Sequence, residues 1–150
     1  MKLPSWEGQY LDGYTNYKVD SATCKRFEIE LRRAKEIKVF LGTWCSDSQE
    51  QVPRIMKILE QNINSQKVEL VGVNKDKNRP LIAKEFGLSK VPSVFLITAS
   101  NDTLKLFEEV PSNNTIEMDM LKSYSEYTRK EAIKALGEIK YEKPIKSRNE

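Results

Sequence analysis

The sequence predicts an α/β domain with three layers (α/β/α), in which helices cover both faces of a central mixed sheet. Between residues 37 and 98, short apolar runs alternate with segments of helical periodicity, and this alternation implies parallel crossover connections. After Pro92 two strand-like runs follow each other directly, which predicts an antiparallel pair. At 150 residues the chain is long enough to bury the core of a single domain.

The composition narrows the classes of function. The net charge of +3 is small and no basic-aromatic patch is present, so no nucleic-acid partner is expected. The chain contains no His, which excludes Cys-His and Ser-His-Asp catalysis and predicts that there is no metal site. No sequence pattern predicts a cofactor. Two Cys residues do not make a disulfide framework.

The sequence also gives an expectation for the cellular compartment of the protein. No apolar run approaches the roughly 20 residues that a membrane span needs, and the N-terminus lacks the apolar core of a signal peptide. As it stands, the sequence therefore predicts a cytoplasmic protein without a membrane span. A periplasmic or otherwise exported chain whose leader had been removed would look the same.

The single domain is predicted to have three parts: an N-terminal extension with a helix over 1–36, a core over 37–137 and a charged tail over 138–150. The first 19 residues are predicted to be extended, with a turn at Asp12-Gly13. The Tyr residues around this turn are expected to pack against the core or the sheet edge.

One apolar stripe marks the first predicted helix, which begins at Asp20 or Ser21 and runs to about Lys35. Its members recur at three- and four-residue spacings: Cys24, Phe27, Leu31 and Ala34. This pattern predicts that Cys24 is a small buried residue. The alternative is that Cys24 is a distal resolving thiol for Cys45, which would require their Cα atoms to lie within about 7 Å.

A strand followed by a helix forms the predicted centre of the domain. Ile37–Leu41 is an apolar run with little alternation, as expected for a strand covered on both faces. A helix is predicted from about Ser46 to Asn62, with a kink at Pro53, because proline cannot donate the backbone hydrogen bond.

The rest of the core is predicted from similar patterns. A short helix is expected over Pro80–Phe86, after a charged loop, with Gly87 as its C-terminal cap and Leu88 as the hydrophobic contact beyond it. Three further strands are predicted: a buried one over Val68–Val73, then Ser93–Thr98, and a half-exposed one over Leu104–Val110.

A final helix is predicted to begin with a capping box made by Asn114 and Glu117. Its apolar face comprises Ile116, Met120, Tyr124 and Tyr127. A further helical stretch from Ala132 to Ile139 is either continuous with it or separate. Residues 140–150 are charged and expected to fray.

The chemistry is predicted to lie at Cys45, at the start of the second long helix. Unpaired backbone N–H groups and the helix dipole favour a thiolate there, and the thiolate is the nucleophile. Ser48, one turn on, could donate a hydrogen bond to the sulfur. Asp47 would disfavour a second negative charge, although an acid also suits the first turn of a helix. Trp44 could shield the sulfur and offer an apolar contact, or simply pack at the strand end.

These residues resemble the active-site region of the thioredoxin superfamily. Trp44-Cys45-x-x-Ser48, Pro53 eight residues after Cys45, and Val91-Pro92 ahead of a buried strand all occur at matching spacing. The phrase Gly42-Thr43-Trp44-Cys45-x-Asp47-Ser48 is similar to bacterial thioredoxin-family proteins in which Cys-x-x-Cys is reduced to Cys-x-x-Ser. The resemblance extends from about Ile37 to the C-terminal helix and implies a thioredoxin-like fold.

The resemblance implies a substrate groove formed by Trp44, Cys45, Val91 and Pro92. In that family the proline is cis and faces the active Cys, and the residue before it pairs its backbone with an extended peptide. At two positions this sequence differs from the family pattern, which limits what the resemblance implies about activity. Ser48 replaces the resolving Cys, and Val39 stands where thioredoxins have a buried acid that assists proton transfer. Both parts of the resolving apparatus are therefore absent.

The leading hypothesis is a single-Cys thiol–disulfide protein that forms a mixed disulfide through Cys45. Its partner is expected to be a protein or small-molecule thiol or disulfide, and an external thiol is expected to resolve the mixed disulfide. Three alternatives remain open. The chain could be a non-catalytic binding module that uses the groove beside Pro92, it could use Cys24 as the resolving thiol, or two subunits could share an iron–sulfur cluster as single-Cys glutaredoxin relatives do. Whether the chain is an enzyme is left open.

Overall fold

The computed structural model describes residues 4–75 and 81–142. Its centre is a four-stranded mixed sheet with the strand order β2-β1-β3-β4. The strands are β1 (Glu36–Leu41), β2 (Val68–Gly72), β3 (Ser93–Ile97) and β4 (Thr103–Glu108). β1 pairs in parallel with β2 and antiparallel with β3, and β3 pairs antiparallel with β4. The predicted parallel crossover from β1 to β2 and the antiparallel pair after Pro92 are confirmed. The second predicted parallel crossover, from β2 through the next helix to β3, is wrong, because β3 runs antiparallel to β1 and therefore also to β2.

Helices lie on both faces of this sheet, as predicted. They are α1 (Pro4–Asn16), α2 (Ser21–Cys24), α3 (Glu28–Arg33), α4 (Ser46–Asn62), α5 (Leu81–Glu85) and α6 (Ile116–Glu142). Alternate residues of β1 point to opposite faces. Val39 and its same-face neighbours join one buried cluster with residues of α2, α3, α4 and α6. Phe40 joins a smaller cluster with Ala83 of α5 and Val91. None of the described helices is both long and apolar enough to cross a membrane.

The prediction of an extended segment over residues 1–19 is wrong, because α1 occupies most of it. Trp6, Tyr10 and Tyr14 recur every four residues, so a helix places all three rings on one face, where they pack against the main core. The Tyr14 hydroxyl donates to Glu60 of α4 at 2.6 Å. Helix packing overrides the local turn signal of Asp12-Gly13.

The single helix predicted from Asp20 to about Lys35 is in fact two short helices, α2 and α3. Asp20 caps α2, since its carboxylate accepts from the Thr23 backbone N–H at 3.1 Å. Phe27 separates the two helices with φ −137° and ψ 9°, and its ring is buried. The predicted apolar stripe is buried, so Cys24 lies in the core as expected.

The prediction that Val68–Val73 is a buried strand is also wrong. β2 is an edge strand, paired only with β1 among the described strands, and Leu70 is 50% exposed. Only Val73, just beyond the strand, is buried. An edge strand lacks the second neighbour that would cover its side chains.

α4 has the predicted bounds and contains Pro53. The C-terminal cap predicted after α5 is also present. Gly87 has φ +63°, its N–H donates to Lys84 O at 3.0 Å, and the Leu88 N–H donates to Ala83 O at 3.0 Å. Pro80 and residues 76–78 of the preceding loop lie outside the described residues.

α6 is one continuous helix, but the predicted capping box does not form. Thr115 is the cap, since its hydroxyl accepts from the Met118 N–H at 3.1 Å. The Glu117 carboxylate instead points into the protein, where it accepts from the Tyr17 hydroxyl at 2.6 Å and the Asp20 N–H at 2.8 Å. Residues 143–150, most of the predicted tail, lie outside the described part of the chain.

Candidate functional site

Cys45 lies between the end of the central strand β1 and the start of α4. β1 ends at Leu41, and the Cys45 N–H donates to Gly42 O at 3.0 Å, which turns the chain into the helix. Cys45 is the N-terminal cap residue of α4, with φ −100° and ψ 122°. Its thiol is free and half-buried. The N-terminal N–H groups and dipole of a 17-residue helix therefore act beside this sulfur.

Cys45 meets the Val91-Pro92 turn that precedes β3. The Cys45 thiol donates to Val91 O across 3.7 Å, and the Val91–Pro92 peptide bond is cis. Pro92 O in turn accepts at 2.7 Å from the N–H of Glu109, the residue directly after β4, so the end of β4 holds this turn in place. Residues that lie 46 positions apart in the sequence thus share one surface.

Trp44 forms an exposed wall beside the thiol. Its indole N–H donates to Val73 O at 2.9 Å, while 42% of the residue surface stays open to solvent. The ring lies directly against Gly42: a Cβ at that position would stand 2.5 Å from Trp44 Cε2. Gly42 is therefore required for this ring position, since even alanine would collide with it.

Ser48 is fully buried, and its hydroxyl oxygen accepts from the Gly42 N–H at 3.1 Å. Among the described contacts it makes no hydrogen bond to the Cys45 sulfur, so the predicted role as a donor to that sulfur is not seen here. Ser48 instead ties the first turn of α4 to the end of β1. Asp47, half-buried, lies in the same first turn, the position that acids favour at helix starts.

One residue of the site was missed by sequence reasoning. The Gln49 side-chain amide donates to Thr43 O at 2.7 Å and so braces the loop that carries Trp44 and Cys45. Glutamine in an exposed-looking helix turn gives no signal of such a bond. It depends on how the loop folds back over the helix.

Cys24 is remote from Cys45. Its thiol interacts with Asn62, the last residue of α4, whereas Cys45 is the cap at the opposite end. A 17-residue helix is about 25 Å long. Burial, helped by the Glu117 carboxylate, raises the pKa of the Cys24 thiol to about 11. The structure therefore contradicts the alternative in which Cys24 resolves a disulfide at Cys45.

The comparison with known proteins agrees with this fold. The sequence matches the thioredoxin family over residues 18–122, and the chain belongs to that family. No curated protein sequence matches it.

Solved structures with a similar fold include two that match most of this chain. A Pseudomonas aeruginosa protein of unknown function is 14% identical with a TM-score of 0.59, over 84% of this chain and 87% of that one. An HIV epitope scaffold is 15% identical with a TM-score of 0.56, over 83% of this chain and 87% of the scaffold.

Proposed function

We propose that this protein is a single-cysteine thiol–disulfide protein that forms mixed disulfides through Cys45. The observation that carries the proposal is the position of the half-buried Cys45 sulfur, 3.7 Å from Val91 O at the cis Val91–Pro92 bond and at the N-terminus of α4. A nucleophile and a backbone acceptor for an extended partner thus share one surface. The family supports chemistry of this class.

The reaction is a thiol–disulfide exchange in two steps. The Cys45 thiolate attacks one sulfur of a partner disulfide, a Cys45–partner disulfide forms, and the other partner sulfur leaves as a thiolate. An external thiolate then attacks the partner sulfur of this mixed disulfide. Cys45 leaves as a thiolate, and the external thiol and the partner are joined as a new disulfide.

The residues around Cys45 support resolution of the mixed disulfide by an external thiol. Ser48 offers a hydroxyl and no second sulfur, and Cys24 is buried at the far end of α4. Val39 is fully buried in an apolar cluster, so that position supplies no carboxylate for proton transfer. A small thiol such as glutathione is the resolving agent that fits this arrangement.

Trp44, Val91 and Pro92 would hold the partner. A backbone N–H of an extended segment would replace the Cys45 thiol as the donor to Val91 O, and Trp44 would give an apolar contact beside it. Binding and attack would then use neighbouring atoms of one groove.

The test uses glutathione disulfide as the probe and intact-protein mass spectrometry as the readout. We expect one glutathione adduct on the wild-type chain, none on Cys45→Ala, and an undiminished adduct on Cys24→Ala, which is the matched control. Added dithiothreitol should remove the adduct. An adduct that persists in Cys45→Ala, or none on the wild type, would refute the proposal.

A non-catalytic binding module is the second candidate, favoured by the 42% exposure of Trp44 beside the Val91-Pro92 turn. In that case Cys45→Ala would leave partner binding intact, whereas Trp44→Ala would weaken it. Under the leading proposal, Cys45→Ala abolishes covalent capture of the partner.

A further inference from the structure

Most of the outward face of α6 is used neither by the fold nor by the thiol site. Met118, at its start, is the exception, since the Thr23 hydroxyl of α2 donates to its sulfur at 3.7 Å. The helix has 27 residues, about 40 Å at 1.5 Å per residue. Ile116 and Met120 begin the stripe that faces the core. On the opposite side of the helix lie Met118, Lys122, Ser125, Arg129, Ile133 and Leu136. Leu136 follows Met118 after five full turns, so this outward face is a straight line.

This outward face carries large apolar side chains in solvent. Met118 is 39%, Ile133 59% and Leu136 62% exposed. Every residue from Arg129 to Gly137 is exposed, and no described residue covers that part of the helix. Ile133 and Leu136 are neighbours on this face, whereas Lys122, Ser125 and Arg129 separate them from Met118. A helical stretch of this length gains little stability in water by itself, and neighbouring exposed apolar side chains often mark an interaction surface.

The net positive charge of the chain comes from the last part of its sequence. Residues 128–150 contain 7 of the 25 Lys and Arg and 4 of the 22 Asp and Glu, so they account for the whole net charge of +3. Residues 1–127 are therefore neutral overall. On the outward face itself, Lys122 and Arg129 are basic and no acid is present. Glu126 lies at its edge, and Glu131 lies on the other side of the helix.

We propose that the outward face of α6 binds the surface of an anionic lipid bilayer, with the helix parallel to the membrane plane. Ile133 and Leu136 would enter the boundary between headgroups and acyl chains. Lys122 and Arg129 would extend their aliphatic stems along it and place their charges among the phosphates. This mode places the helix on the membrane and not across it.

The shape and charge of the face favour a bilayer over a second copy of the chain. The body of the domain lies on the core side of α6, so a flat surface can contact the exposed line from Lys122 to Leu136. Two copies would bring two basic faces together, which repel each other. None of the thiol-site residues belongs to α6, so this inference does not depend on the proposed function.

The test is sedimentation of the full chain with vesicles. We expect binding to vesicles of equal parts phosphatidylcholine and phosphatidylglycerol to be about tenfold stronger than to phosphatidylcholine alone, and to weaken in high salt. Ile133→Glu/Leu136→Glu and Lys122→Gln/Arg129→Gln should each weaken binding to the anionic vesicles about tenfold or more.

The matched control is Leu11→Glu/Leu70→Glu, which changes two leucines that are 59% and 50% exposed elsewhere on the molecule. It should bind like the wild type. Circular dichroism must show that all variants keep the native helix content. Equal binding to both vesicle types, or unchanged binding of the α6 variants, would overturn the proposal. So would a lipid-free dimer in sedimentation velocity that Leu136→Glu dissociates, because the face would then belong to a second copy.

Discussion

The Ser48 hydroxyl oxygen accepts a hydrogen bond from the Gly42 backbone N–H at 3.1 Å inside the protein. This bond closes the loop between β1 and α4, which carries Trp44 and Cys45. Ser48→Ala would leave a buried N–H without an acceptor, and we expect it to lower the free energy of unfolding by about 1–3 kcal/mol. Urea denaturation measures this change.

Ser46→Ala is the matched control, since Ser46 is exposed in the same helical turn. Its effect on the free energy of unfolding should stay within about 0.5 kcal/mol. Equal effects of the two substitutions would mean that the Ser48–Gly42 bond does not hold the loop.

A cysteine at position 48 should restore part of a dithiol mechanism. Ser48 is one helical turn from Cys45, so Ser48→Cys places a second sulfur where an internal attack on a mixed disulfide becomes feasible. We expect a faster reduction of insulin disulfides in the presence of dithiothreitol than with the wild type. The gain should be partial, because buried Val39 supplies no carboxylate.

Ser46→Cys is the control for this gain, because it adds a thiol next to Cys45 on the exposed side of the same turn. It should not raise the rate of insulin reduction. An equal gain from both variants would show that any extra thiol suffices, and that the position of residue 48 is irrelevant.

The local sequence predicts the strand–helix unit at Cys45 well, because the apolar run before Gly42 and the periodicity up to Asn62 both act over short distances. It fails for α1, where Asp12-Gly13 signals a turn but packing against α4 decides. It also fails for β2, because an apolar run in the sequence does not distinguish an edge strand from a central strand of the sheet. The Ser48–Gly42 bond could not be predicted, because it depends on the shape of the closed loop.

Gly42 is expected to control the position of Trp44. In Gly42→Ala the new Cβ would stand 2.5 Å from Trp44 Cε2, so the ring must move and lose its 2.9 Å bond to Val73 O. We expect a destabilisation of about 1–3 kcal/mol and a red-shifted Trp44 emission. The emission is measured in a Trp6→Phe background, because the chain has 2 Trp residues.

Gly72→Ala provides the comparison, since a Cβ there would meet nothing within 4 Å. It should leave the Trp44 emission unchanged. If Gly42→Ala also left the emission and the stability unchanged, the close approach of the ring to Gly42 would not determine its position.

The buried Cys24 thiol should make the protein less stable at alkaline pH. Burial first, and then the Glu117 carboxylate, raise the pKa of this thiol from 9.0 to about 11 in the folded state. The unfolded chain therefore loses this proton first as pH rises. The stabilising contribution is complete below about pH 9 and is lost as pH rises towards 11. Burial likewise raises the pKa of Tyr10 to about 12, which extends the same trend.

Urea denaturation at a series of pH values between 8 and 11 measures this loss, with Cys24→Ala as the comparison. The variant starts from a lower free energy of unfolding, because truncation leaves a small cavity, but its stability should fall less steeply with pH. Val52→Ala, which truncates another buried side chain but removes no titratable proton, is the matched control and should keep the wild-type slope. Parallel slopes for the wild type and Cys24→Ala would show that Cys24 does not hold its proton more tightly in the folded protein than in the unfolded chain.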